Sequence, residues 1–200
     1  MVRFAHILFA AGVAPLVAGC ASTRSYSSPV EVTRFVAQDT DSVPRGPIGV
    51  RAAPGQDAAS LEYAAFQTAV MEQLGEQGFQ VAGDAAPYVA LIEVQRSVLE
   101  GGRGRGPVSV GGGASTGTFG SGVGLGIGLD LSGPDPDTVQ TQLAVSIRPS
   151  AGGDAVWEGR AGFVATVNND DAETTAAAQR VAEALFRGFP GNSGETIEVE

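Results

Sequence analysis

One run of residues constrains the fold of this chain more than any other. Val139, Thr141, Leu143, Val145 and Ile147 alternate with Gln140, Gln142, Ala144, Ser146 and Arg148. Side chains two apart in an extended chain share a face, so the run predicts a half-buried strand with one apolar and one solvated side. Pro149 to Asp154, with Gly152-Gly153, predicts the turn of a hairpin. Ala155 to Val167 then returns, carrying Trp157, Phe163, Ala165 and Val167 on one face. An apolar sheet face must be covered by another layer. The remaining sequence has to supply that layer and the neighbouring strands.

Two helices are predicted. The first covers about 58–77, with Asp57 as N-cap and Ser60 as the second candidate. Tyr63, Phe66, Val70 and Leu74 recur at helical spacing, and Gly78 sits where a left-handed C′ residue ends a helix. Tyr63 and Phe66 read as core rather than as a ligand box. In the second, Asp170 reads as the cap and Glu173 completes a capping box. This helix runs to about Arg187, with Ala177, Val181, Ala184 and Leu185 as its apolar stripe. Gly188 ends it, Phe189 can fold back on the last turn, and Pro190 forbids continuation. The Asn168-Asn169-Asp170-Asp171 run lacks the ligand spacing and distal Glu of a calcium loop. Val30 to Val36 and Ile48 to Arg51 read as strands. So does Tyr88 to Leu99, with Tyr88, Ala90, Ile92, Val94 and Val98 on one face and Arg96 interrupting it. Ile197 and Val199 suggest a minor edge strand in the tail.

Gly101 to Gly133 is a different material. Gly120, Gly122, Gly124, Gly126 and Gly128 alternate with Val123, Leu125, Ile127 and Leu129. A period of two argues strand, and such a Gly ladder marks close approach by another backbone. Three readings stay open: a mobile hairpin arm, an edge that pairs with a partner protein's strand, or a membrane hairpin. Pro107 to Thr118, the only mate for a membrane strand, is poor in apolar residues.

The N-terminus has the layout of an export signal. Met1-Val2-Arg3 is a positive start, Phe4 to Val17 is apolar but for His6, and small residues follow. The run is too short to read as a membrane-spanning helix. Val17, Ala18, Gly19 and Cys20 resemble the lipobox of bacterial lipoproteins. That resemblance implies a diacylglyceryl group on the Cys20 thiol, cleavage before Cys20 and acylation of the new amino terminus. With Ala21 rather than Asp after the cysteine, it also implies the outer membrane. Residues 1–19 then form the signal peptide. Residues 20–29 form the lipidated cysteine and a Ser-rich flexible tether.

Residue absences exclude much chemistry. The only His is His6, the only Cys is Cys20, and there is no Lys. The part after the signal therefore lacks a Ser-His-Asp triad, a Cys-His pair, a Schiff-base or Walker lysine and any His or Cys metal site. Catalytic, cofactor-binding and metal-ligating residues are accordingly read as none. Carboxylate-only hydrolysis is the one enzymatic route left, and no pair of acids is marked for it. A formal net charge of −10 with no basic patch argues against nucleic acid.

Several pieces in order resemble an uncharacterised family of Gram-negative lipoproteins catalogued as domain of unknown function 4136. They are the lipobox at Cys20, Ser60-Leu61-Glu62-Tyr63, Gln77-Gly78-Phe79, Pro87-Tyr88-Val89-Ala90, the Gly-rich hairpin, Val156-Trp157-Glu158-Gly159-Arg160-Ala161 and Leu185-Phe186-Arg187-Gly188-Phe189-Pro190. The resemblance implies a lipid-anchored periplasmic domain and no activity. The expectation is a single α+β domain over 30–190 with a tail at 191–200. It would be a two-layer sandwich, a mostly antiparallel sheet with both helices on one face, plus the Gly-rich arm. The expected role is non-enzymatic: a binding or assembly module of the cell envelope. It would be held to the membrane by acyl chains on Cys20, with an envelope protein as partner of the Gly101–Gly133 arm. A small-molecule or lipid carrier, with a pocket between sheet and helices, is the alternative.

Overall fold

The computed structural model describes residues 25–37, 43, 45–83, 85–102, 109–117, 120–128 and 136–200. The fold is α+β: an open, mixed seven-stranded sheet, mostly antiparallel, with two helices. The strands are β1 (Val30–Val36), β2 (Pro47–Ala52), β3 (Gln80–Val81), β4 (Tyr88–Leu99), β7 (Thr138–Pro149), β8 (Trp157–Thr166) and β9 (Thr196–Val199), in the spatial order β3-β2-β4-β7-β8-β1-β9. Two further strands, β5 (Ser109–Gly117) and β6 (Gly120–Gly128), pair with each other, and among the described residues with no other strand. They interrupt the β4–β7 connection, whose last paired residues are Leu99 and Thr138.

The half-buried strand is realised as β7. Thr141, Leu143, Val145 and Ile147 are buried, while Gln142 is exposed and Gln140, Ala144 and Ser146 are partly so. β4 and β8 flank it in antiparallel register. β4 runs over the expected residues, with Ala90, Ile92 and Val94 buried on one face and Val89 on the other. The sheet departs from the expected antiparallel pattern at one edge. There β2 pairs in parallel with both β3 and β4, because the helix between β2 and β3 carries the chain back to the starting end. At the other edge the tail forms β9 against β1.

Helix α1 spans Leu61–Glu76 and buries Tyr63, Phe66, Ala69, Val70 and Leu74. Its N-cap is Ser60, whose hydroxyl accepts from the Tyr63 amide at 3.0 Å. Asp57 instead accepts from Ala59 N in the preceding turn, so the expected start is corrected by one turn. Gly78 takes φ +88° after the helix, a conformation with a Cβ penalty for other residues.

Helix α2 spans Thr174–Phe186 and buries Ala177, Ala178, Val181, Ala182, Ala184, Leu185 and Phe186. The expected capping box is also corrected. Asn169 caps a short 3-10 turn over Asp170–Ala172. Glu173 is itself the N-cap of α2, accepting from Thr175 N at 2.8 Å and Ala176 N at 3.0 Å. The interposed turn shifts the helix start by three residues, from a cap at Asp170 to one at Glu173. Val167, expected on the apolar face, lies past the end of β8 and is exposed.

Trp157, Phe186, Phe189 and Phe79 fill one end of the core. Trp157 stacks on Phe186 with ring centroids 5.4 Å apart, Phe189 leans on both, and Phe79 meets Phe189 edge-on. The Trp157 indole N–H donates to Pro190 O at 2.9 Å, so its one polar atom is satisfied in the core. Two inward-pointing arginines are also satisfied. Arg34, only 5% exposed, donates to the carbonyls of Ala184, Leu185 and Arg187 and so closes the C-terminus of α2. Arg96 donates to Thr141, Thr174, Ala172 O and Glu62.

Candidate functional site

The named residues of the lipobox, Val17, Ala18, Gly19 and Cys20, lie outside the described residues. Residues 21–24 lie outside them as well, and the described chain begins at Ser25. Of residues 25–28, expected to be part of a flexible tether, Tyr26 to Ser28 are paired along β8. Thr166 N donates to Tyr26 O at 2.8 Å and Ser28 N to Val164 O at 2.9 Å. In return, Tyr26 N donates to the Thr166 hydroxyl and Val164 N to the Ser28 hydroxyl. The segment extends β1 toward the end of β8. No alternation of apolar residues announces this, because side-chain hydroxyls make half of the pairing.

Arg180 of α2 clasps the same segment. Its guanidinium donates to the Ser27 hydroxyl, to Ser28 O at 3.0 Å and to Asp171 at 2.7 Å, and lies 4.8 Å over the Phe163 ring. Ser25 in turn accepts from Asn169. Residues 25–28 are thus part of the folded unit, fixed by one strand, one helix and the loop between them.

The side of the sheet that carries the polar alternates forms an open groove of about 740 Å³. Strand register orders its lining. Glu198, Glu31, Gly162, Gln142 and Gln95 follow one another across β9, β1, β8, β7 and β4, and Thr196, Thr33, Arg160, Ala144 and Glu93 form the next row. Small residues at Gly162 and Ala144 leave the floor low between the longer flanking side chains. A Cβ at Gly162 would come within 3.2 Å of both Gln142 Cγ and Thr141 O. The groove offers amide, hydroxyl and carboxylate groups with one guanidinium. Such a surface suits hydrogen bonding to a polar partner and provides no activated nucleophile.

A second, smaller hollow beside it is lined by Glu62, Arg96, Gln95, Gln140 and Gln142. The expected carrier pocket would lie between sheet and helices. Trp157, Tyr63, Phe66, Phe186, Leu74 and Leu185, from strand β8 and both helices, are fully buried, whereas the groove opens on the polar alternates of the sheet. The Asn168–Asp171 run serves structure: Asn169 caps the 3-10 turn and Asp171 pairs with Arg180. Among the described residues no cluster of three or more His, Cys, Asp or Glu is placed to hold a metal ion. Among them, too, no helix is long and apolar enough to cross a membrane.

The arm and the N-terminal segment leave the sheet at one end. Val167 N donates to Asp137 O at 2.9 Å, and the Asp137 carboxylate accepts from Gly101 N at 2.8 Å. Both entrances to residues 102–136 therefore stand beside Thr166, the residue that holds Tyr26.

No family model matches the chain. An uncharacterised protein of Zymomonas mobilis, ZMO1243, is 39% identical over 62 residues, which are 31% of this chain and 23% of that protein. The chain thus matches less than a quarter of that relative's length. Among solved structures, a PDZ domain protein from Parabacteroides distasonis is similar at a TM-score of 0.47 and 10% identity, over 88% of this chain and 38% of that one. A PelC dodecamer from Paraburkholderia phytofirmans is similar at a TM-score of 0.42 and 12% identity, over 78% of this chain and 93% of that one. At TM-scores below 0.5 these likenesses carry no argument about fold or function, and the chain's own geometry has to speak for it.

Proposed function

We propose that this chain is a lipid-anchored lipoprotein of the outer membrane, facing the periplasm, that works as a non-enzymatic binding or assembly module of the cell envelope. The reading includes its kinship with the domain of unknown function 4136 family. It also takes the fold as a two-layer sandwich, with both helices on one face of the sheet and the Gly-rich arm projecting from one end. The observation that carries the proposal is the seating of Ser25–Ser28 on β8 and Arg180. A fold that reaches to within five residues of Cys20 suits a domain that hangs close to an anchor at that cysteine. Two or more acyl chains on that residue give stable attachment. The helix-free face, with its polar groove, is left open to a partner.

Replacing Cys20 with Ala tests the anchor. Labelling by a palmitate analogue is abolished and the protein leaves the membrane fraction; continued fractionation with the outer membrane defeats the anchor reading. Crosslinking in intact envelopes followed by pull-down tests the binding role. An unchanged partner set after deletion of residues 101–133 rules out the arm as the partner site.

The groove favours one second reading, a carrier of a small polar ligand. Native mass spectrometry of the purified protein then shows a bound polar molecule, and Gln142→Ala with Gln95→Ala releases it.

A further inference from the structure

Eight large apolar side chains stand exposed among the described residues, and five of them share one end of the molecule. Val98 and Leu99 close β4, where Leu99 pairs with Thr138. They are 63% and 48% exposed. Val167, 51% exposed, follows β8 and bonds to Asp137 O. Tyr26, 55% exposed, is held by Thr166. Leu61, 90% exposed, opens α1 beside Glu62, which reaches Arg96 two residues before Val98. Single exposed apolar residues need no explanation. Five gathered at one end do, because the cost of wetting them is removed only by something that covers that end.

Chain geometry names the cover. From Cys20 to Ser25 there are five residue steps, which span at most roughly 18 Å fully extended. Ser25 lies at the apolar end, on Asn169. A cysteine acylated in the bilayer therefore makes this end of the domain the one nearest the membrane, with Ser25 no more than about 18 Å from the anchored residue. The arm's two entrances, Gly101 and Asp137, open at the same place.

We propose that the end of the molecule bearing Tyr26, Leu61, Val98, Leu99 and Val167 is a lipid-docking face that lies on the membrane surface beside the anchor. The proposal rests on the lipid-anchor reading. The occupant is a zwitterionic lipid surface. Glu100, Asp170 and Glu173 stand at this end besides Asp137, and Glu62 and Asp171 are matched by Arg96 and Arg180, so among the described residues the excess charge there is negative, which disfavours anionic headgroups. An interfacial Tyr with aliphatic neighbours suits the boundary between headgroups and acyl chains.

Cys20 is the only cysteine, so the acylated protein carrying Leu99→Cys or Val167→Cys has a single free thiol. The full lipidated protein is reconstituted into phosphatidylcholine–phosphatidylethanolamine vesicles, labelled with an environment-sensitive dye, and challenged with nitroxide-bearing lipid. The expected result is blue-shifted emission and loss of fluorescence at positions 99 and 167, with neither at a Val81→Cys control on β3 at the far end. With a dye at Val98→Cys, adding Leu99→Ser and Val167→Ser relieves the quenching. Equal quenching at 81, or no lipid quenching at 99 and 167, overturns the docking face; a blue shift without lipid quenching means a protein covers it instead and overturns it equally. Two dyes per chain mean that Cys20 is free, which is failure of the anchor reading and is seen separately.

Discussion

The Trp157 indole lies across the backbone of Gly159, the next inward residue of β8, and leaves no room there for a methyl group. A Cβ at Gly159 would press on the indole ring and come within 2.7 Å of Leu185 Cδ1. Both neighbours are fully buried, and Trp157 is fixed by Phe186, Phe189 and Pro190 O. Gly159→Ala therefore overpacks the core, at a cost of about 1–3 kcal/mol. Gly162→Ala, on the polar face, meets the flexible Gln142 side chain and one carbonyl at 3.2 Å, and costs less. Urea denaturation of both variants checks the ranking. Equal midpoints would mean that the indole can move aside.

Tyr63 is buried with its hydroxyl unpaired among the described residues, and burial raises its pKa above the ordinary phenol value. An unsatisfied buried hydroxyl costs free energy that the ring's packing offsets. Tyr63→Phe keeps the ring and removes the cost, so it raises stability by about 1 kcal/mol. A higher denaturation midpoint with unchanged slope is the expected result. A lower one would show that the hydroxyl has a partner, such as a buried water.

How far these positions could be read from sequence depends on how local their causes are. β7 follows from alternation alone, because it has one wet and one dry face over many residues, and β4 follows from its long apolar and β-branched run. The C-terminal stops at Gly78 and Gly188 follow from positive φ, +88° and +73°, where glycine is favoured. Helix starts were less legible. Ser60 and Asp57 both offer a capping oxygen, and only the path of the chain chooses between them. At α2 a 3-10 turn with its own cap, Asn169, comes between the acidic run and the helix. Arg34 carries a signal in its position. It shares the parity of Val30 and Val32 in β1, and an inward arginine needs buried acceptors. Those acceptors, the last carbonyls of α2, lie some 150 residues away in the chain, and no pattern in β1 points to them. The groove was not legible at all, since it depends on which strands bring Gly162 and Ala144 side by side.

Glu173 gives α2 a pH dependence whose direction is fixed. Its pKa is lowered chiefly by the Ala176 amide, with further contributions from the amides of Thr175 and Thr174 and the Thr175 hydroxyl. A carboxyl lowered in the folded state contributes stability that is present above its unfolded pKa and is lost as pH falls through the folded one. Glu173→Gln is therefore less stable than the parent at neutral pH. The gap closes on acidification below the ordinary carboxylate range. Thermal melts at a series of pH values check this; a gap that persists in acid would assign the effect to side-chain shape rather than charge.

Arg180 joins the domain to the chain that leads back to Cys20. Removing it as Arg180→Ala takes away the donors to Ser27 and Ser28 O, the ion pair with Asp171 and the contact with Phe163. Its hydrogen bonds are partly buried and charge-assisted, each contributing about 1.5 kcal/mol or more, but water replaces some of them in the variant, so global stability falls by about 1–2 kcal/mol. The local effect is larger in proportion. Tyr26 and Ser28 are held otherwise only by β8, at the end of the added strand, where opening is easiest. Amide exchange at Ser28 N and Thr166 N, which donate across this pairing, speeds up in the variant while exchange in the centre of β7 changes only with the global stability. Arg180→Lys, with a point charge in place of the planar fork, restores the Asp171 pair but not the bond to Ser28 O, so it falls between the two. If Ser28 N and Thr166 N keep their protection in Arg180→Ala, β8 alone seats the segment and the domain's position relative to the anchor does not depend on α2.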